Sequence, residues 1–114
     1  MWEVVYHPDA EAERGEIPIK ERTAIAHVVE KLEALGPDLP FPHQSAVWGG
    51  KGGVRELRPR GGRTPWRPLY RRIGDVFVVL AVGPEAETNR RGFDRAVSAA
   101  EERLREVLRE EGRE

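Results

Sequence analysis

Residues 65–82 read Pro65-Trp66-Arg67-Pro68-Leu69-Tyr70-Arg71-Arg72-Ile73, then Gly74-Asp75, then Val76-Phe77-Val78-Val79-Leu80-Ala81-Val82. Both runs are rich in β-branched and aromatic residues, and Gly74-Asp75 has the composition of a tight turn between antiparallel strands. Val76–Val82 shows no polar alternation, so it reads as a strand buried on both faces. Pro68 cannot donate to a ladder, which puts its strand at an edge or at a bulge. Just upstream, Val54-Arg55-Glu56-Leu57-Arg58 supplies another short strand, stopped by Pro59 and Gly61-Gly62. The spacing therefore predicts a three-strand meander.

Working outward, Trp2-Glu3-Val4-Val5-Tyr6 reads as a first strand closed by Pro8, and Asp9 is placed to cap a brief acidic helical turn that Gly15 interrupts. Beyond Pro18, the residues Ile25, Val28, Val29, Leu32 and Leu35 form a helical stripe that Gly36-Pro37 ends. Residues 36–53 contain three prolines and five glycines and read as a loop. Phe93, Val97, Ala100, Leu104, Val107 and Leu108 mark a final amphipathic helix. The order is strand, helix, helix, meander, helix: an α+β domain with helices on one side of a mostly antiparallel sheet. At 114 residues it is one domain spanning 1–114, since domains typically run about 100–200 residues.

Composition excludes several chemistries. With no cysteine there is no disulfide, thiolate metal site or cysteine nucleophile. The longest apolar run is Val76–Val82, too short to span a bilayer, and Met1–Asp9 has no signal-peptide pattern. The expected location is the cytoplasm, without membrane contact. His7, His27 and His43 are isolated from partners at metal-ligand spacing, so no metal is expected. Gly49-Gly50-Lys51-Gly52-Gly53 lacks the spacing and the Ser or Thr of a phosphate loop, and reads as a turn that exposes Lys51.

The 19 basic and 20 acidic side chains nearly cancel, but they are unevenly placed. Residues 1–48 carry four basic and nine acidic groups, 49–75 carry eight and two, and 76–114 carry seven and nine. Seven arginines crowd into 55–72, a patch suited to a polyanion. In pleated strands Arg58 and Arg60 share one side, as do Arg67, Leu69 and Arg71, and Trp66 and Tyr70 add aromatic surface. Guanidiniums interleaved with aromatics suit single-stranded RNA; the plainer interpretation is a solvated sheet face neutralised by acidic helices or a partner.

Arg55-Glu56-Leu57-Arg58-Pro59-Arg60, Trp66-Arg67-Pro68-Leu69-Tyr70-Arg71-Arg72 and Gly74-Asp75-Val76-Phe77-Val78-Val79-Leu80, in that order, resemble the signature of the phage-derived Gp49-like proteins, which are similar to the HigB and RelE toxins of type II toxin–antitoxin modules. The resemblance implies a RelE-like fold, in which a first strand and a three-strand meander carry two N-terminal helices and one C-terminal helix. It implies an mRNA interferase: a ribosome-dependent, metal-independent endoribonuclease that needs no cofactor and inhibits translation. By position, Arg67 would hold the scissile phosphate, Arg58 and Arg60 would bind phosphate or stabilise the transition state, and Tyr70 would pack or position a base. Lys51, Arg55, Trp66, Arg71 and Arg72 would complete the RNA surface.

The implied partners are mRNA on the ribosome and a cognate antitoxin with a helix-turn-helix domain. Operator DNA would be bound by that antitoxin rather than by this chain. The sequence departs from the family after Val82, where Pro84 and Glu85 replace expected cations and Phe93 lacks a hydroxyl, while Arg90 and Arg91 offer compensating charge. Glu85 and Phe93 motivate an alternative, a RelE-fold binding protein with weak or no nuclease activity. A ParE-like gyrase inhibitor is a third possibility, though the Arg-Glu-Leu-Arg piece points away from it.

Overall fold

The strand β5 (Val76–Pro84) organises the molecule: in the computed structural model, which describes residues 1–47, 49 and 52–112, it lies between the parallel β1 (Glu3–Tyr6) and the antiparallel β4 (Trp66–Ile73). Beyond β4 come β3 (Arg55–Leu57) and β2 (Gln44–Ala46), giving a five-stranded mixed sheet ordered β1-β5-β4-β3-β2. The helices are α1 (Pro8–Gly15), α2 (Ile19–Leu35) and α3 (Arg90–Glu110). The meander is present as expected, and the segment read as a loop contributes the additional strand β2, pairing Gln44–Ala46 with Arg55–Leu57.

Burial of β5 on both faces has a consequence that corrects the expected placement of the helices. Phe77, Val79 and Val82 join a cluster with Ala10 and Ile17 of the α1 region and Ile25, Val28 and Leu32 of α2. Val78, Leu80 and Ala81 join another with Phe93, Ala100 and Leu104 of α3. Alternate residues of one strand point to opposite faces, so α1 and α2 cover one face of the sheet and α3 covers the other. Leu80 and Ala81 share a cluster although adjacent, because the pairs Leu69↔Ala81 and Tyr70↔Val79 leave Leu80 as the extra residue of a β-bulge. Pro68 lies next to that bulge and beyond the last β3–β4 pair, Glu56↔Leu69, so its missing donor costs no ladder bond.

Two local details fix how the helices meet the sheet. The helix α1 is capped by His7, whose Nδ1 accepts the Asp9 amide at 3.1 Å, rather than by Asp9 itself. Gly83 is required where α3 meets β5, since a Cβ there would stand 2.4 Å from that of Ala96. Among the described residues, no helix is long and apolar enough to cross a membrane.

Candidate nucleic-acid interface

The arginines of the basic island are divided between two faces. Glu56, Arg67 and Leu69 face the α3 side, whereas Leu57 and Tyr70 face α2. Arg67 is 3% exposed. Its Nη1 donates to the carbonyls of Thr64 at 2.7 Å and Trp66 at 3.0 Å, and its Nη2 to that of Gly62 at 3.1 Å. Burial draws its pKa downward from the usual arginine range, opposed by the Glu56 carboxylate, yet arginine remains charged in proteins. Arg67 is thus the pin of the turn between β3 and β4.

Glu56 is the hub beside it. Its Oε1 accepts from Ser45 Oγ at 3.1 Å and Arg58 Nη1 at 3.1 Å, and lies 3.9 Å from Arg67 Nε. The Arg58 Nε also donates to Pro42 O at 3.2 Å, and its guanidinium lies 5.3 Å from the ring centre of Phe41. Gly62, at φ +94°, is needed here for a backbone conformation that side chains rarely adopt, and a Cβ would also displace the Arg58 guanidinium. Arg58, Glu56, Ser45, Phe41, Arg90 and Phe93 line a cleft of about 410 Å³.

Arg60 does not join Arg58, contrary to the expected shared strand face. The strand β3 ends at Leu57, and the 3₁₀ turn Pro59–Gly62 carries Arg60 at φ +53° toward Glu21 of α2, 3.9 Å away. Tyr70 is 3% exposed and packs 5.9 Å from Phe77, and Trp66 is half-buried against the same cluster, so neither ring is a free stacking platform. Among the described residues, the exposed aromatic is Phe41, at 69%. Sequence reasoning misses it because it sits among prolines with no strand or helix pattern, and misses Glu56 because its role depends on Ser45 arriving from β2.

Arg55 and Arg72 face the α2 side with Tyr70, and Arg71 borders the same cleft. Arg90 pairs with Asp94 at 3.2 Å, and Arg91 is exposed. Lys51 lies outside the described residues. Among those described, no group of three histidine or acidic side chains is disposed to hold a metal.

Comparison with known proteins fits this arrangement. Residues 13–105 match the family of phage derived protein Gp49-like. The chain belongs to that family. No curated protein matches it. Among solved structures, the Gp49-like chain is similar to the free toxin RelE of E. coli carrying two arginine-to-alanine substitutions, with a TM-score of 0.60 and 15% identity over 85% of this chain and 95% of that one. It is also similar to the archaeal RelE–RelB complex from Pyrococcus horikoshii, with a TM-score of 0.53 and 18% identity over 73% and 93%. The fold of this Gp49-like protein is therefore the RelE fold.

The Gp49-like chain departs most from expectation at Glu85, whose carboxylate accepts the amides of Thr88 at 2.8 Å and Glu87 at 3.2 Å together with the Thr88 hydroxyl. The Thr88 hydrogen bond, reinforced by the backbone amides and Arg67, holds its pKa below the ordinary carboxylate value. Glu85 thereby closes the turn before α3, which Asn89 caps by accepting the Gly92 amide at 2.9 Å.

Proposed function

We propose that this Gp49-like protein is the toxin of a type II toxin–antitoxin pair and cleaves mRNA on the ribosome. The observation that carries the reading is the cleft in which Glu56 and Arg58, 3.1 Å apart, face Arg90 and the exposed Phe41 on a RelE fold. Cleavage proceeds by attack of a 2′-hydroxyl on the adjacent phosphate, forming a 2′,3′-cyclic phosphate and releasing a 5′-hydroxyl that is reprotonated from water. Glu56, the one carboxylate lining the cleft among the described residues, receives the 2′-hydroxyl proton. Arg58 and Arg90 stabilise the phosphorane-like transition state, and Phe41 supplies a stacking surface. Arg67, whose donors are taken by carbonyls, is a positioning residue that fixes the turn behind Arg58 and Glu56. Arg60 and Arg91 contribute long-range attraction for RNA.

The partner is an antitoxin with a helix-turn-helix domain that covers the cleft and binds operator DNA; a neighbour of this fold is seen with its own partner in the RelE–RelB complex. A second reading, binding without cleavage, is favoured by the pairing of Arg58 and Arg67 with Glu56, which neutralises part of the cationic face.

Primer extension on a defined mRNA in a cell-free translation reaction, with and without ribosomes, decides between them. The expected result is cleavage that requires ribosomes and falls by about 10²-fold or more in Glu56→Gln and Arg58→Ala. Intact RNA in the presence of folded wild-type protein selects the binding reading.

A further inference from the structure

On the opposite face of the sheet, a cleft of about 450 Å³ opens between the turn that follows α2, at Gly36, Pro37 and Leu39, and the strands β3 and β4. Three arginines line it, Arg55, Arg71 and Arg72, and among the described residues no carboxylate does. Two of the guanidiniums are already held in place. Gln44 Nε2 donates to Leu39 O at 2.9 Å, and Gln44 Oε1 accepts from Arg55 Nε at 2.7 Å, so a chain of hydrogen bonds anchored on the backbone orients Arg55. The buried Tyr70 also interacts with Arg55. Arg72 lies 4.8 Å from the Trp2 ring centre, and its Nε donates to Gly74 O at 2.7 Å. Its acidic neighbour, Asp75, is 97% exposed and 3.9 Å away, and an exposed pair at that range neutralises little. Arg71 makes no hydrogen bond or ion pair among the described residues.

We propose that this cleft is a phosphate-binding site, in which Arg55, Arg71 and Arg72 together hold a phosphate group carried by a nucleic acid. Three cations along one cleft, opposed only by the exposed Asp75 beside Arg72, repel one another, and a bound anion relieves that repulsion. Geometry selects the anion. Arg55 and Arg72 share the face of Tyr70, whereas Arg71 leaves β4 on the other side and meets the cleft at its rim, where its Nε lies beside Gly53. Two guanidiniums held in place and a third at the rim offer more donors than the two oxygens of one carboxylate can accept, and a phosphate supplies further acceptor oxygens. The cleft exceeds the size of the phosphate itself and leaves room for an attached sugar. The site shares no arginine with the Glu56–Arg58 cleft and does not depend on cleavage there.

The test is fluorescence anisotropy of a short 3′-labelled oligouridylate, with a 5′-phosphate or a 5′-hydroxyl, competed by inorganic phosphate and by hexaglutamate. Arg71→Ala and the double variant Arg55→Ala/Arg72→Ala are each expected to weaken binding about tenfold or more, with inorganic phosphate competing. Arg58→Ala/Arg90→Ala should retain this binding component. Because the Arg71 side chain makes no hydrogen bond or ion pair among the described residues, and the backbone pairing with Val78 is kept by alanine, its variant should melt as wild type does. Dependence on the 5′-phosphate identifies a terminal phosphate as the ligand, and indifference to it identifies the internal diester. The proposal is overturned if binding survives in Arg71→Ala and the double variant. It is equally overturned if hexaglutamate is bound and phosphate is not, which would make the face a protein-docking surface. Either failure leaves the nuclease reading to be judged by its own cleavage assay.

Discussion

Arg67 and Arg103 are both drawn into the protein, yet they are held in opposite ways. Arg67 is surrounded by carbonyl oxygens, with Glu56 at a distance of 3.9 Å, and burial lowers its pKa. Arg103 makes a two-pronged bond to Glu13, with Nη1–Oε1 at 3.0 Å and Nη2–Oε2 at 2.9 Å, and that bond raises its pKa. The surroundings explain the contrast. The strand β1 stops at Tyr6, leaving the edge of β5 open past Val79. Glu13 accepts the Val82 amide at 3.0 Å and Arg103 donates to Leu80 O at 2.8 Å, so an ion pair from α1 and α3 takes the place of the missing strand. Arg67 instead organises a turn in a place where no secondary structure can satisfy the carbonyls. One arginine closes a sheet edge and the other holds together the wall of the candidate cleft.

Truncating each arginine tests the contrast, and the larger loss is expected at Arg67. Arg67→Ala removes the guanidinium donor from the carbonyls of Gly62 and Thr64, leaves Trp66 O with the Thr64 hydroxyl at 3.4 Å, and deprives Glu56 of one of its two cations. It is expected to lose about 3 kcal/mol of unfolding free energy in urea titrations, a large share of the roughly 5–15 kcal/mol typical of a domain. Arg67→Lys should recover little, since an ammonium cannot reach three carbonyls from one planar fork. If Arg67→Ala keeps full stability and loses only RNA cleavage, the residue acts on substrate and the structural account of it fails.

These two arginines also mark what sequence can and cannot disclose. The meander, the α2 stripe and the α3 stripe are legible because burial repeats with the period of a strand or a helix. The uninterrupted apolar run Val76–Val82 also carries the information that both faces of the sheet are covered, although helical periodicity alone does not say which helix lies on which face. The strand β2 is not legible: Gln44-Ser45-Ala46 is too short to alternate, and it is a strand only because β3 lies beside it. For the candidate site, the crowding of arginines is plain, but their division between two faces is not, since Pro59 ends the β3 phase before Arg60. Arg67 does leave one clue, in that Leu69, two residues on, is wholly buried on the same face.

A smaller effect is expected at the β5 edge. Arg103→Ala should cost about 2 kcal/mol, because Leu80 O and the Glu13 carboxylate lose their donor together. A double-mutant cycle with Glu13→Ala should return a coupling of about 1 kcal/mol, reduced from that of a fully buried pair because the Glu13 side chain is 35% exposed. A coupling of zero would mean that each side chain caps the strand edge alone, and the comparison with Arg67 would then narrow to two independent sets of backbone bonds.

The smallest expected effect is on pH dependence and arises at Glu85, a half-buried residue whose carboxylate interacts at long range with Arg67. Its folded pKa lies below the ordinary value, chiefly through the Thr88 hydrogen bond. A depressed carboxylate pKa means that its stabilising contribution is complete above the unfolded-state pKa and is lost as pH falls through the folded one. Glu85→Gln should therefore flatten the acid limb of a stability–pH curve slightly and leave stability near neutrality reduced by a fraction of the Arg67 effect. The variant also removes a negative charge from the neighbourhood of Arg67 and Arg58, so RNA affinity should rise modestly at low salt and converge with wild type as salt screens the face. Unchanged affinity at low salt would show that Glu85 serves only the turn before α3, which would leave Glu56 as the carboxylate that opposes Arg58 and Arg90 in that cleft.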